Sequence, residues 1–314
     1  MSGMSRPSDK HLMLFSGRGH PALAQEIAQL LGVELVPTVA RDFANGEIYV
    51  RFAESVRGCD AFVVQSHCMP INDQIMEQLL MVDALKRASA KRITVVTPIF
   101  GYARQDKKHR GREPISARLM AVDLHTAQIQ GFFDGPVDHL FAMPVLADHI
   151  AGHYDTSNMT VVSPDAGRVR VADKWTDRLN RMPRLAIIHK RRDPDVANQV
   201  EVHEVVGDVA GRICVLVDDM IDTAGTICQA AEALTARGAA KVVVAATHAL
   251  LSGPAVQRLR NSSICEVVVT DTLPIPGESR FETLTVLPIA PLISRAIREV
   301  FEDGSVTKLF ENNS

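Results

Sequence analysis

Short runs of β-branched and aliphatic residues recur along this chain. Each is followed by a polar or glycine-bearing loop, then by a segment whose apolar positions return every three to four residues. The pattern predicts repeated strand-loop-helix units. In the first half, strands are expected at Leu12 to Phe15, Ala61 to Gln65 and Ile93 to Val96, with helices from Pro21 to Leu31 and from Asn72 to Ala88. Pro21 suits a first helical turn, and Ile75, Leu79, Val82 and Leu85 form the expected core-facing stripe of the second helix. A third helix is expected from Ile115 to Gln130, ended by Gly131, with His125 and Gln128 on one face.

Between the first two helices, Leu35 to Val39 and the alternating Ile48 to Phe52 flank DFANGE, Asp42 to Glu47, whose Asn45-Gly46 pair is a strong turn signal. On spacing alone this is a hairpin. The Gly17 and Gly19 pair in SGRGHP reads as a tight turn rather than an anion cradle. In the second half the expected strands are Val161 to Val162, Leu185 to Ile188, Val215 to Val217, Val242 to Ala246, Val267 to Thr270 and Leu284 to Val286. Helices are expected up to about Arg181, from Ile227 to Arg237, from about Pro254, and from about Ile289 to Phe301; SVTKLF is left as strand or tail. Two halves of one pattern predict an α/β protein of two doubly wound domains, each a mainly parallel sheet flanked by helices, at residues 1–155 and 156–314.

Length and composition agree with that division. A chain of 314 residues exceeds what one core usually serves, and 46% apolar residues suffice for two. No apolar run approaches a membrane span, and the polar start MSGMSRPSDKH, an expected disordered tail, has no signal core. Five scattered cysteines, never in a Cys-x-x-Cys pair, favour neither disulfides nor zinc and fit a reducing cytoplasm. A net charge of −3 excludes a global attraction to nucleic acid.

The chemistry gathers in loops after strands. In VLVDDMIDTAGTI, Val215 to Ile227, backbone amides from Thr223 to Thr226 at the positive end of a helix can surround a phosphate, with Gly225 allowing close approach. Asp218 and Asp219 would repel a phosphate but suit the vicinal hydroxyls of a ribose, which donate to carboxylates. No Gly-Lys-Ser/Thr is present, so this is not a Walker loop. After Val96 comes TPIFGYARQDKKHRGRE, rich in Arg and Lys at a strand's carboxyl end, a suitable polyphosphate contact. Asp165 in SPDAG is a candidate Mg²⁺ ligand beside phosphates. Residues 189–211 form a long polar connection with Lys190, Arg191 and Arg192 at its root, suited to a lid over developing negative charge.

DFANGE, YARQDKK, DLHTAQIQGFF, VSPDAG, HKRR and VLVDDMIDTAGT stand in the order and approximate spacing of the phosphate-activated ribose-phosphate pyrophosphokinases, which the chain resembles from about Leu12 onward. The resemblance implies two type I phosphoribosyltransferase-like domains and transfer of the β,γ-diphosphoryl group of Mg-ATP to the anomeric hydroxyl of ribose 5-phosphate. The products would be AMP and 5-phosphoribosyl 1-diphosphate, for nucleotide, histidine and tryptophan biosynthesis.

Carried over onto matching positions, the resemblance puts Phe43, Asn45 and Glu47 at the adenine of a neighbouring subunit. Arg104 and Gln105 would contact ATP, with Lys107 and Lys108 in the same loop. His125 and Asp165 would lie at Mg²⁺ and the triphosphate, and Lys190 and Arg192 would be the catalytic pair. Ribose 5-phosphate would be held by Asp218, Asp219, Asp222, Thr223, Ala224, Gly225 and Thr226. Ser55 and Arg57 in ESVRG would line a site between subunits where ADP inhibits and inorganic phosphate activates, in a hexamer made of dimers. One departure stands out: the second glycine that many members carry in the VSPDAG element is here Arg168, expected to point outward. The competing readings are a noncatalytic regulatory relative and a phosphoribosyltransferase that uses a base; the intact motifs disfavour the first, and the nucleotide elements of the first half the second.

Overall fold

The computed structural model describes residues 10–102, 117–125, 135–191 and 202–311. They form two compact units, and each is an α/β layer structure.

In the first unit, β1 (Leu12–Ser16) leads into α1 (Pro21–Leu31). The helix starts where Nδ1 of His20 accepts the amide of Leu23 and ends at Gly32, whose left-handed φ of 71° suits glycine. The antiparallel hairpin of β2 (Thr38–Asp42) and β3 (Ile48–Phe52) follows as expected, turning through Gly46 at φ 88°. Next come β4 (Asp60–Val64), α2 (Ile71–Arg87), β5 (Arg92–Thr97), β6 (Ala117–Val122) and β7 (Val137–Leu140). The sheet runs β1-β4-β5-β6-β7 with every neighbouring pair parallel. All five β4 residues are buried, as a strand covered on both faces requires.

Two expectations fail here. Residues 117–122 are a strand rather than part of a helix over 115–130, so His125 follows a strand end. ARLMAV is short enough to satisfy either period, and pairing with β5 on one side and β7 on the other decides it. The buried face of α2 is also rotated: Gln74, Glu77, Gln78, Met81 and Leu85 are buried, whereas Leu79 is 46% exposed. The first turns of α2 lie beside loop amides after β1 and β4 that need acceptors. Burying Gln74 and Glu77 there satisfies them, which an apolar stripe would not.

The second unit starts with α3 (Met143–His153), β8 (Met159–Ser163), α4 (Val169–Arg178) and β9 (Arg184–Arg191). It continues with β10 (Val202–Val206), β11 (Ile213–Ile221), α5 (Gly225–Ala236) and β12 (Lys241–Ala249). It ends with α6 (Ala255–Arg260), β13 (Glu266–Thr270) and β14 (Leu284–Leu287). Its sheet runs β10-β9-β8-β11-β12-β13-β14, parallel throughout except for β10 at the edge. Alternate residues such as Val162, Leu216, Val244 and Val269 pack with Ile227, Ala231 and Leu234 of α5, while α3 and α4 pack on the sheet through other contacts. The supposed polar connection 189–211 is thus partly an antiparallel ribbon of β9 and β10, which escaped notice because an edge strand need not be apolar.

Chain order reverses between β8 and β11: β8 is followed by β9 on one side, and β11 joins on the other. In open α/β sheets that switch is where ligands bind, at the strands' carboxyl ends. The last helices, α7 (Ala290–Phe301) and α8 (Lys308–Glu311), belong to the first unit, where α7 packs on α1. The division therefore falls after Leu140 and again after Ile289, whereas a single boundary at 155/156 was expected. A mostly apolar helix face with Leu292, Ile293, Ala296 and Ile297 buried has no signal saying which sheet it covers. SVTKLF is helical in its second half. All five cysteines are free thiols, and among the described residues no helix is long and apolar enough to cross a membrane.

Candidate active site

Two loops border the switch point of the second unit. The first follows β8: the hydroxyl of Ser163 donates to the Asp165 carbonyl at 2.6 Å, and Oδ1 of Asp165 accepts the amide of Arg168 at 3.0 Å. Asp165 is exposed at the strand's carboxyl end. Arg168 does not point outward. Its Nη2 lies 2.6 Å from Oδ1 of Asp219 and its Nε 3.7 Å from Oδ1 of Asp218. The reason is electrostatic: two neighbouring, mostly buried carboxylates attract the nearest guanidinium out of solvent.

Asp218 and Asp219 stand in the carboxyl-terminal half of β11, past its pairing with β8. The amide of Asp219 donates to Oδ1 of Asp218 at 2.8 Å. Burial, then the adjoining Asp219, push the Asp218 carboxyl above the usual carboxylate range, against the pull of Arg168.

The second loop runs from Asp222 to Thr226. It is tied to the loop after β12 by the amides of Leu251 and Ser252, which donate to the carbonyls of Ile221 and Asp222 at 3.0 and 2.9 Å. Ala224, 4% exposed, adopts a left-handed conformation with φ 59° and ψ 4°, an unusual place for a residue with a β carbon. That turn delivers the chain into α5 at Gly225, whose first amides have no partner within the helix. Arg258 of α6 donates from Nη1 to the Thr223 carbonyl at 2.9 Å, and a β carbon on Gly225 would meet the same atom at 3.3 Å. The side chains of Thr223 and Thr226 are exposed beside these amides. The loop thus presents unpaired amides, two hydroxyls and a nearby guanidinium, a setting for a phosphate dianion. Arg258 escaped the sequence reading because nothing in its spacing ties it to the loop.

In the first unit, His125 lies half-buried three residues beyond β6, and Leu124 donates its amide to Nε2 of His139 at 3.0 Å. Phe43 to Glu47 form the exposed tip of the β2–β3 hairpin. Phe43 and Glu47 are joined by a 2.7 Å backbone bond, and Oδ1 of Asn45 accepts the Glu47 amide at 3.2 Å. Arg41 stacks over Phe43 and Tyr49 with its guanidinium carbon 5.6 and 5.2 Å from the ring centroids. Ser55 and Arg57 are exposed on either side of buried Val56. Lys190 lies in β9 with its backbone opposite His203 of β10. Arg104, Gln105, Lys107, Lys108 and Arg192 fall outside the described residues.

A family model described as the N-terminal domain of ribose phosphate pyrophosphokinase matches residues 12–127, and one described as the phosphoribosyl synthetase-associated domain matches 194–311. The chain is 66% identical over 324 residues to the ribose-phosphate pyrophosphokinase of Streptomyces avermitilis, covering 99% of each. This chain belongs to the ribose-phosphate pyrophosphokinase family. Within that family the Corynebacterium efficiens protein is 59% identical over 327 residues, with all of both chains covered. The crystal structure of phosphoribosylpyrophosphate synthetase from Mycobacterium smegmatis is similar at a TM-score of 0.86 and 57% identity, covering 94% of this chain and 100% of that one. As a ribose-phosphate pyrophosphokinase family member the chain is a transferase of nucleotide biosynthesis.

Proposed function

We propose that this chain is a ribose-phosphate diphosphokinase whose second unit seats ribose 5-phosphate, with Asp218 and Asp219 accepting the ribose hydroxyls and the Asp222–Thr226 loop holding the 5-phosphate. One arrangement carries the reading: a carboxylate pair followed within a few residues by an amide-rich loop, at the switch point of a parallel sheet.

The anomeric oxygen of the sugar attacks the β-phosphorus of ATP. The bond from that phosphorus to the oxygen shared with the α-phosphate breaks, AMP departs with the bonding pair, and the hydroxyl proton is lost to solvent or a carboxylate. Little covalent work falls to the protein, so alignment and charge stabilisation dominate. Lys190 and Arg192 neutralise the phosphoryl oxygens, and Arg104, Gln105, Lys107 and Lys108 hold the nucleotide. Phe43, Asn45 and Glu47, exposed on their hairpin, reach the adenine of a neighbouring subunit.

Mg²⁺ would be held through Asp165 and His125 together with substrate phosphates, and when bound it neutralises phosphate charge. The donor set fits: Asp165 is an exposed carboxylate oxygen donor at the carboxyl end of β8. Mg²⁺ is commonly held by one or two carboxylates plus phosphates rather than by a protein cage. Ser55 and Arg57, exposed around Val56, serve the site where phosphate activates and ADP inhibits. The working form is a cytoplasmic homohexamer.

A noncatalytic regulatory relative is the competing reading, and the intact Asp218, Asp219, His125 and Lys190 disfavour it. A phosphorus NMR time course with Mg²⁺, ATP, ribose 5-phosphate and inorganic phosphate separates the two. Equal growth of AMP and a diphosphate-bearing sugar establishes the transferase; unchanged ATP with folded, nucleotide-binding protein establishes the regulatory reading.

A further inference from the structure

Arg168 stands immediately before α4, its amide held by Asp165, and its guanidinium reaches across to β11. The 2.6 Å contact takes Oδ1 of Asp219, and Oδ1 of Asp218 is already engaged by the Asp219 amide. The Arg168 side chain is 19% exposed, so the pair is largely withdrawn from water. A ribose diol brings two hydroxyl donors that need carboxylate lone pairs. Guanidinium and hydroxyl compete for the same oxygens, and the charged donor binds them the more strongly.

The geometry points to Arg168 as a specificity-determining residue that occupies the Asp219 oxygen before substrate arrives and must yield it when the ribose hydroxyls bind. The inference rests on the reading that residues 218–226 seat ribose 5-phosphate. It follows that Arg168 sets the concentration of sugar phosphate the enzyme needs and leaves the nucleotide side alone. It also separates sugar phosphates by their hydroxyls: a ligand with the diol displaces the guanidinium, whereas a 2-deoxy sugar lacks one of the displacing donors.

The test is steady-state kinetics on full-length protein with each substrate varied in turn, for the parent, Arg168→Gly, Arg168→Lys and Thr226→Val. Removing a competitor for substrate is expected to lower KM for ribose 5-phosphate about fivefold in Arg168→Gly, with kcat and KM for ATP within about twofold. Arg168→Lys, whose single ammonium still pairs with one carboxylate, falls between; it also serves if the glycine variant fails to fold. An unchanged or raised KM for ribose 5-phosphate in both variants overturns the inference. Thr226→Val keeps the outcomes distinct, because it removes a phosphate-loop hydroxyl without touching Arg168. If that variant retains the parent KM, the ribose 5-phosphate assignment of this loop has failed; if it loses affinity while the Arg168 variants match the parent, only the role of Arg168 has failed.

Discussion

Gly101 donates its amide to Nδ1 of His67 at 2.9 Å, and this one bond sets the protonation of a buried ring. With Nδ1 accepting, Nε2 carries the proton and donates to Oε1 of Gln78 at 3.0 Å. Burial holds the His67 imidazolium down to about 4, so the ring is neutral at physiological pH and anchors the chain where it enters the basic loop. The unfolded chain takes up its proton near the ordinary histidine value and the folded chain near 4. The contribution of His67 is therefore complete above about 6.5 and is lost as pH falls through 4, on the order of 3 kcal/mol in all. Urea denaturation of the parent and of His67→Gln at pH 7 and pH 4.5 is expected to show a smaller acid-side loss in the variant; equal losses would remove His67 as a source of acid sensitivity.

Ala224 holds φ 59° inside the proposed phosphate loop. For a residue with a β carbon that conformation costs roughly 1 kcal/mol, and more when the side chain is β-branched. Ala224→Gly is expected to raise the urea midpoint slightly, and Ala224→Val to lower stability by about 2 kcal/mol with weakened ribose 5-phosphate binding. A valine variant as stable as the parent would mean the turn is not strained.

Arg258 is bound to the same loop through the Thr223 carbonyl. Losing that guanidinium frees the loop and removes a positive charge beside the expected phosphate. Arg258→Ala is expected to raise KM for ribose 5-phosphate by about tenfold while leaving KM for ATP near the parent value. Equal rises in both would place Arg258 in general stability instead.

How far these features were legible depends on whether the determinant was local. The hairpin at Asn45-Gly46, the helix starting at Pro21 and the loop after Asp219 were readable because each depends on residues adjacent in the chain. The β6 strand was misread as helix because its short run satisfies both periods and only its two neighbours decide. Leu79 was placed inside, and Glu77 was not named at all, because hydropathy says nothing of loop amides that need an acceptor. Arg168 was sent outward for the same reason: its partners are fifty residues away in sequence and adjacent only once β8 and β11 pair. Motif order names candidate residues, but the geometry that brings them together depends on tertiary pairing.

Glu77 itself is testable. Only 1% exposed, it accepts the Arg18 amide at 2.7 Å and pairs with the Arg18 guanidinium, which also meets Asp42 at 2.7 Å. Truncating Arg18 strands a buried carboxylate, which typically costs about 3 kcal/mol. Arg18→Ala is expected to show that loss in urea melts at neutral pH, and the double variant Arg18→Ala, Glu77→Gln to recover part of it. A loss below about 0.5 kcal/mol would mean water or Gln65 already satisfies Glu77.

Lys190 tests the chemistry rather than the fold. Its place near the end of β9, where β9 pairs only with β10, puts its backbone opposite His203 and two residues before Arg192 in the sequence. A side chain that neutralises charge developing on a phosphoryl oxygen acts in the transition state and hardly at all on bound nucleotide. Lys190→Ala is therefore expected to lower kcat by about a thousandfold while the dissociation constant for ATP changes less than about threefold. Stopped-flow or NMR turnover with parallel equilibrium binding reads both quantities. Turnover near the parent value would take Lys190 out of the mechanism, and a parallel loss of ATP affinity would make it a nucleotide anchor.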